Sequence, residues 1–173
     1  MLLNVAPSIR STITTTVIKT PLGPLTAGAT DEGICRLEFA GPLNEADWNA
    51  DVSPGRHPFL DRLKAELADY FAGSLSRFTV TLVIRGTPFQ ETVWGQLLRI
   101  PFGETRSYGD VAQAIRAPKA SRAVGAANGQ NRICIVIPCH RVIASGCKLG
   151  GYGGGLDRKQ FLLDLERRED LFT

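Results

Sequence analysis

The chain of 173 residues has no large excess of either charge: 20 Lys and Arg against 17 Asp and Glu leave a formal +3. That balance argues against a polyanion-binding tail, although local basic patches can still meet nucleic acid. No apolar run is long enough to span a bilayer, and Met1-Leu2-Leu3-Asn4-Val5-Ala6-Pro7 is too short for the apolar stretch of a secretory signal. The 4 cysteines, Cys35, Cys134, Cys139 and Cys147, are irregularly spaced and make no disulfide framework. C-x2-C pairs are missing, so Cys134, Cys139, His140 and Cys147 match none of the usual zinc patterns. Internal repeats and low-complexity segments are lacking as well. What remains is one large domain or two small ones with ample core. The expected compartment is reducing: the cytoplasm, or the nucleus if the source is eukaryotic.

What is present concentrates in Ile133-Cys134-Ile135-Val136-Ile137-Pro138-Cys139-His140-Arg141. The apolar, β-branched stretch Ile133 to Ile137 predicts a buried strand, ended by Pro138, which has no N–H for a ladder. A thiol, an imidazole and a guanidinium follow at once. Cys134 reads as a small buried hydrophobe. Cys139 is the candidate nucleophile, held at the mouth of a packed core; burial as an inert thiol and metal ligation are the alternatives.

Residues 1–85 read as a small α/β unit. Ser11 to Ile18, Leu25 to Thr30 and Ile34 to Phe39 predict strands, with turns at Pro21-Leu22-Gly23-Pro24 and Asp31-Glu32-Gly33. Asn44 to Pro58 predicts a polar loop. Phe59, Leu60, Leu63, Leu67, Tyr70 and Phe71 share one face of a helix stopping at Gly73, and Phe78, Val80, Leu82 and Ile84 alternate as in a half-buried strand. For function this half is nearly silent.

Residues 86–173 are better punctuated. Thr87-Pro88-Phe89-Gln90 is a capping box with proline at the first helical position, and Ser107-Tyr108-Gly109-Asp110 is a second box. Phe89, Val93, Trp94, Leu97 and Leu98 read as core rather than as a platform for bases. Ala117-Pro118 breaks the second helix and Ser121 to Asn128 begins a third, giving the proportions of a helix-turn-helix. Its second helix offers only Ser121, Arg122 and Asn128 as donors or acceptors, too few for reading base edges. Arg116, Lys119 and Arg132 are available for phosphates, so the pattern predicts DNA held with little sequence preference. Gly150-Gly151-Tyr152-Gly153-Gly154-Gly155 predicts a pocket-lining loop, without the strand-to-helix setting of a phosphate cradle. A last helix, Leu156 to Glu166, carries Lys159 and Glu166.

Pro138-Cys139-His140-Arg141 resembles the active-site signature of the O6-alkylguanine-DNA alkyltransferases. The flanks are similar too: Ser107-Tyr108-Gly109, Ser121-Arg122-Ala123-Val124-Gly125, Asn131, and the run from Gly151-Tyr152 through Leu156 and Lys159 to Glu166. The resemblance covers Thr87 to Glu166 closely and the first half loosely, at Thr20 to Leu25. It implies an α+β fold: a small N-terminal α/β domain with an antiparallel, ribonuclease H-like sheet, then a mainly helical domain carrying the helix-turn-helix and the site. It implies a monomer holding double-stranded DNA through the minor groove and flipping out O6-alkylguanine, with Arg122 filling the gap and Ser121 and Asn128 also facing DNA. Val142, Gly150, Tyr152 and Gly153 would line the base pocket. Cys139 would take the alkyl group, from guanine and also from O4-alkylthymine, in one irreversible event. His140 would accept the thiol proton through a bridging water, oriented by Glu166. Tyr108 would protonate the leaving guanine, Lys159 would tune the thiol or that tyrosine, and Asn131 would brace the turn. No cofactor, metal or membrane is implied.

This chain departs from the family pattern at Arg132 and Cys134, where many relatives have proline, and at Gly153, where some carry serine. Two readings from other classes stand beside alkyl transfer: a non-enzymatic module that recognises alkylated DNA or regulates, and a turnover hydrolase using Cys139, His140 and Glu166 as a triad. Glycine at 153 opens the pocket, so O6 groups larger than methyl should be accepted. A benzylguanine probe reacting no faster than a much smaller analogue overturns that expectation.

Overall fold

In the computed structural model, residues 12–39, 51–147 and 149–168 are described. Strands β1 (Thr12–Thr20), β2 (Gly23–Thr30) and β3 (Gly33–Phe39) form an antiparallel meander, and β4 (Asp51–Pro54) adds to β1 in parallel, for a sheet order β3-β2-β1-β4. The turns are where the glycines and threonines put them. Thr20 Oγ1 donates to Gly23 O at 2.6 Å and accepts from Leu22 N at 3.2 Å, closing the first hairpin with its own side chain. β4 falls inside the polar stretch expected as loop: it is short and mostly exposed, so no apolar alternation marks it. The first part of that stretch, 44–50, lies outside the described residues.

Helix α1 (Pro58–Phe71) packs on the sheet through Leu60, Leu63, Leu67 and Tyr70, the stripe its spacing predicts. Full burial of each such aliphatic side chain contributes about 1.5–3 kcal/mol. Glu66 is also turned inward and accepts from Thr79 N at 2.9 Å and Val80 N at 3.2 Å, which ties the segment after the helix back onto it.

That segment, Phe78 to Ile84, is not the strand its alternation predicts. It is extended but pairs with β3 only around Ile34, where Ile34 N donates to Thr81 O at 2.9 Å and Val83 N to Ile34 O at 2.8 Å, with a single bridge at Leu82. The rest of the outer edge of β3 is occupied by another part of the chain: Leu37 N donates to Arg132 O at 2.8 Å and Leu37 O accepts from Cys134 N at 2.9 Å.

The second half supplies α2 (Pro88–Leu97), β5 (Arg106–Ser107), α3 (Tyr108–Ala114), α4 (Ser121–Gly129), β6 (Val142–Ile143) and α5 (Leu156–Arg168). Both capping boxes form as their sequences dictate: Thr87 and Gln90 bond reciprocally at the start of α2, and Ser107 and Asp110 at the start of α3. Trp94 Nε1 donates to Ala127 O at 2.8 Å and locks α4 onto α2. One continuous apolar core runs from Leu25, Ala27 and Leu37 of the sheet to Val93, Val124, Ile137 and Leu162 beyond it. Among the described residues no helix is long and apolar enough to cross a membrane.

Gly33 sits at φ 153°, and a Cβ there would lie 2.6 Å from Thr81 O. Gly33→Ala must therefore strain the turn and push away the segment that covers β3. A loss of about 1–3 kcal/mol in urea unfolding, with the slope unchanged, is the expected outcome.

Candidate active site

Ile133 to Ile137 does not form the predicted strand. Only Ile133, Cys134 and Ile137 make isolated bridges, and the chain reverses at Ile135, whose φ is 70°. Val136 N donates to Cys134 O at 2.8 Å across Ile135, a tight γ-turn of the strained, positive-φ kind, which is unusual at a β-branched residue. A second tight turn follows at Pro138 (φ −80°, ψ 64°), with Cys139 N donating to Ile137 O at 2.8 Å. The run is apolar because it is buried, not because it is a ladder; burial alone does not separate the two.

The side chain of Asn131 closes this double turn. Its Oδ1 accepts from Ile133 N at 3.0 Å and its Nδ2 donates to Ile137 O at 2.8 Å. Together with the two bonds to Leu37, these hold a one-turn 3₁₀ segment, Cys139–Arg141, whose three side chains are all buried.

His140 is fully buried and its Nε2 lies 2.7 Å from Glu166 Oε1. The carboxylate is an acceptor, so Nε2 carries the proton and Nδ1 presents a lone pair; Nδ1 is buried with no hydrogen-bond partner. Burial pushes the imidazole down, against the pull of Glu166, so His140 is neutral at rest. Glu166 accepts further from Tyr70 Oη at 2.7 Å, from Arg141 Nε at 2.8 Å and Nη2 at 3.0 Å, and from Gly103 N at 3.3 Å. Arg141 Nη1 donates to Ile100 O at 2.7 Å. Burial raises the Glu166 carboxyl, but the bonds and charges of His140 and Arg141 outweigh it and hold the group at about 2.

Burial likewise pushes the Cys139 thiol up, opposed by the hydrogen bond from Asn131 and the charge of Lys159. Lys159 is fully buried and donates to Val142 O at 2.6 Å and Gly151 O at 3.4 Å; burial brings its ammonium down to about 8. The phenol of Tyr108 is raised by burial and by the neighbouring Cys139, and its hydroxyl lies beside Gly150. Thus Cys139, His140, Glu166, Asn131, Lys159, Tyr108, Val142 and Gly150 converge. Gly153 is exposed with nothing near its missing Cβ, whereas Tyr152 turns inward, its hydroxyl buried and unpartnered. Ser121 and Arg122 open α4, Arg122 fully on the surface. Asn128, expected to face DNA, is instead buried and donates to Cys139 O at 3.3 Å, because it lies on the face of α4 that packs under the site.

Sequence reasoning missed three contributors. Arg141 pairs with Glu166; Tyr70 reaches it from α1; and Arg158 bonds Leu22 O at 3.0 Å and Gly154 O at 3.0 Å while lying over the Phe39 ring. Phe39 in turn meets Tyr152 edge-on and fills the space where a Gly154 side chain would be. Neither the buried Tyr70 nor the partly buried Arg158 carries a local sign of such contacts in the sequence. Among the described residues no group of three or more His, Cys, Asp and Glu could hold a metal ion.

A buried thiol next in the chain to a neutral, carboxylate-backed imidazole is the arrangement of a cysteine-dependent protein. Two family profiles match the chain: the ribonuclease-like domain of 6-O-methylguanine DNA methyltransferase over residues 13–84, and the DNA-binding domain of the same family over residues 88–168. A methylated-DNA–protein-cysteine methyltransferase of Mycobacterium tuberculosis is 49% identical over 154 residues, 87% of this chain and 90% of the relative. The constitutive one of Bacillus subtilis is 45% identical over 156 residues, 88% and 94%. The crystal structure of Mycobacterium tuberculosis OGT in complex with DNA superposes with a TM-score of 0.81 at 45% identity, covering 91% of this chain and 93% of that one. The chain belongs to the 6-O-methylguanine DNA methyltransferase family.

The depressed Glu166 carboxyl ties the stability of the fold to pH. Its folded pKa, about 2, lies below the ordinary 4.5, so the unfolded chain binds the proton more readily. This contribution is complete above the ordinary value and is lost as the pH falls toward 2. Glu166→Gln should be less stable at neutral pH, by several kcal/mol because Arg141 is left buried and unpaired. It should also show a shallower fall of stability in that acid window, as read by urea unfolding at stepped pH.

Proposed function

We propose that this protein repairs DNA by moving the alkyl group of O6-alkylguanine, and of O4-alkylthymine, onto Cys139 Sγ. The observation that carries the reading is the orphaned Nδ1 of His140 on the residue next to the thiol, its other nitrogen fixed by Glu166. A water between Nδ1 and Sγ passes the thiol proton to the imidazole. Sγ then bonds to the alkyl carbon as that carbon leaves O6, and the electron pair goes to the purine. Tyr108 gives its proton to the departing base, and Lys159 stabilises the thiolate electrostatically. The product is a thioether, which water does not cleave, so each molecule reacts once.

The pair α3 and α4 is read as a helix-turn-helix lying in the minor groove. It is suited to backbone contact, since Ala123 and Ala126 are small and exposed beside Arg122. Flipping the base costs a few kcal/mol, which Arg122 offsets by taking its place in the stack. Val142, Gly150, Tyr152 and Gly153 form the base pocket. The protein acts as a monomer in the cytoplasm, or in the nucleus of a eukaryote, and needs no metal or cofactor.

Intact-protein mass spectrometry after incubation with O6-methylguanine duplex DNA tests the reading. One added methyl, mapped to Cys139 and absent in Cys139→Ala, is the expected result. An unmodified mass with the protein folded and bound to DNA would make it a recognition module instead.

A further inference from the structure

We propose that Tyr70, in the N-terminal half, is a positioning residue that sets through Glu166 how readily His140 takes the proton of Cys139; the inference rests on the alkyl-transfer reading above. Tyr70 is completely buried, with the rings of Phe71 and Phe78 each at 5.3 Å and that of Phe102 at 6.1 Å. A phenol in such surroundings needs an acceptor, and a core tyrosine bonded to a backbone carbonyl would be unremarkable. Here the acceptor is Glu166 Oε1, the same oxygen that holds His140 Nε2, each at 2.7 Å.

Oε1 therefore serves three donors, Tyr70 Oη, His140 Nε2 and Arg141 Nη2. Each donor that stabilises the carboxylate makes it a weaker acceptor for the others. The imidazolium of His140 is stabilised by Oε1 alone, so the phenol weakens that support and keeps the ring neutral at rest. The charged and titratable groups facing His140 are Glu166 and Lys159 from α5, Arg141 and Cys139 from its own turn, and Tyr70 from α1 through Glu166. Of these, Tyr70 alone can be stripped of its polar atom with no change of net charge or ring volume, and without touching the nucleophile.

The experiment follows single-turnover alkylation of Cys139 by O6-methylguanine duplex, read by intact mass, from about pH 5 to 9. In Tyr70→Phe the acid limb should move to higher pH by roughly half a unit or more, because the better-supported imidazolium forms sooner as pH falls. Alkylation should still reach one group per protein at the plateau. Fluorinated tyrosine at position 70, a stronger donor of unchanged shape, should move the limb the other way and keeps the test decisive if the phenylalanine variant folds poorly. Glu66→Gln serves as the control: it disturbs a buried carboxylate of the same helix that is bonded to Thr79 and Val80 and makes no bond to Glu166, and should lower stability without moving the limb. A limb unmoved by both substitutions at position 70, or moved equally by Glu66→Gln, overturns the inference while leaving alkyl transfer standing. Wild-type protein that never gains mass at Cys139 overturns alkyl transfer itself, and the inference with it.

Discussion

Everything at the site depends on keeping one buried carboxylate ionised. Glu166 is 1% exposed, and an ion so far from water survives only if donors replace its hydration. Five hydrogen bonds do so, and they come from three stretches of chain: Tyr70 on α1, Gly103 after α2, and His140 and Arg141 on the 3₁₀ turn, all meeting a residue of α5. Removing any one of these elements leaves the charge under-solvated, so the carboxylate couples the helices to the turn in addition to the apolar core. The site is in this sense a folding constraint as well as the proposed reactive centre.

The resting charge pattern follows from the same arrangement. Glu166 alone beside His140 would favour a permanent imidazolium, which could not serve as the proposed base. Burial of the ring is the main opposing influence, and the charges of Arg141 and Lys159 add to it. The thiol, pushed up by burial, stays protonated for its own reason. The proposed move of one proton from sulfur to imidazole then changes no net charge; it would create a pair whose negative end is offset by Lys159 and whose positive end faces Glu166. Both compensating charges are already in place, which is how a preorganised site lowers the cost of separating charge.

Legibility from sequence varied with how local the signal is. The two capping boxes and the α1 stripe are written within a few residues of one another, and each formed as read. The strands β1 to β3 were legible because turn chemistry at Pro21–Gly23 and Asp31–Gly33 bounds them. Ile133 to Ile137 was misread because five apolar residues report burial and not backbone, while the reversal at Ile135 is imposed by Asn131 and Leu37 from outside the run. Phe78 to Ile84 alternates but finds little edge of β3 left to pair with. Asn128 was assigned to a DNA-facing surface since polarity alone does not say which side of α4 packs inward. Tyr70 read as core, correctly, yet its hydroxyl partner lies 96 residues away, beyond the reach of any pattern.

The N-terminal half, silent about function as sequence, turns out to be a wall of the site. Leu37 grips the turn that carries Cys139 by its backbone on both sides of Ile133. Phe39 packs against Tyr152 and Gly154, and Arg158 binds the first hairpin at Leu22 to the same glycine loop. Tyr70 reaches the carboxylate itself. These contacts use a strand edge, a ring face, a turn carbonyl and a phenol, so no single substitution removes them together. A shared core with several independent attachments makes the sheet and the helical half one mechanical unit. The position of Cys139 is accordingly fixed by β3 as much as by the turn that carries it.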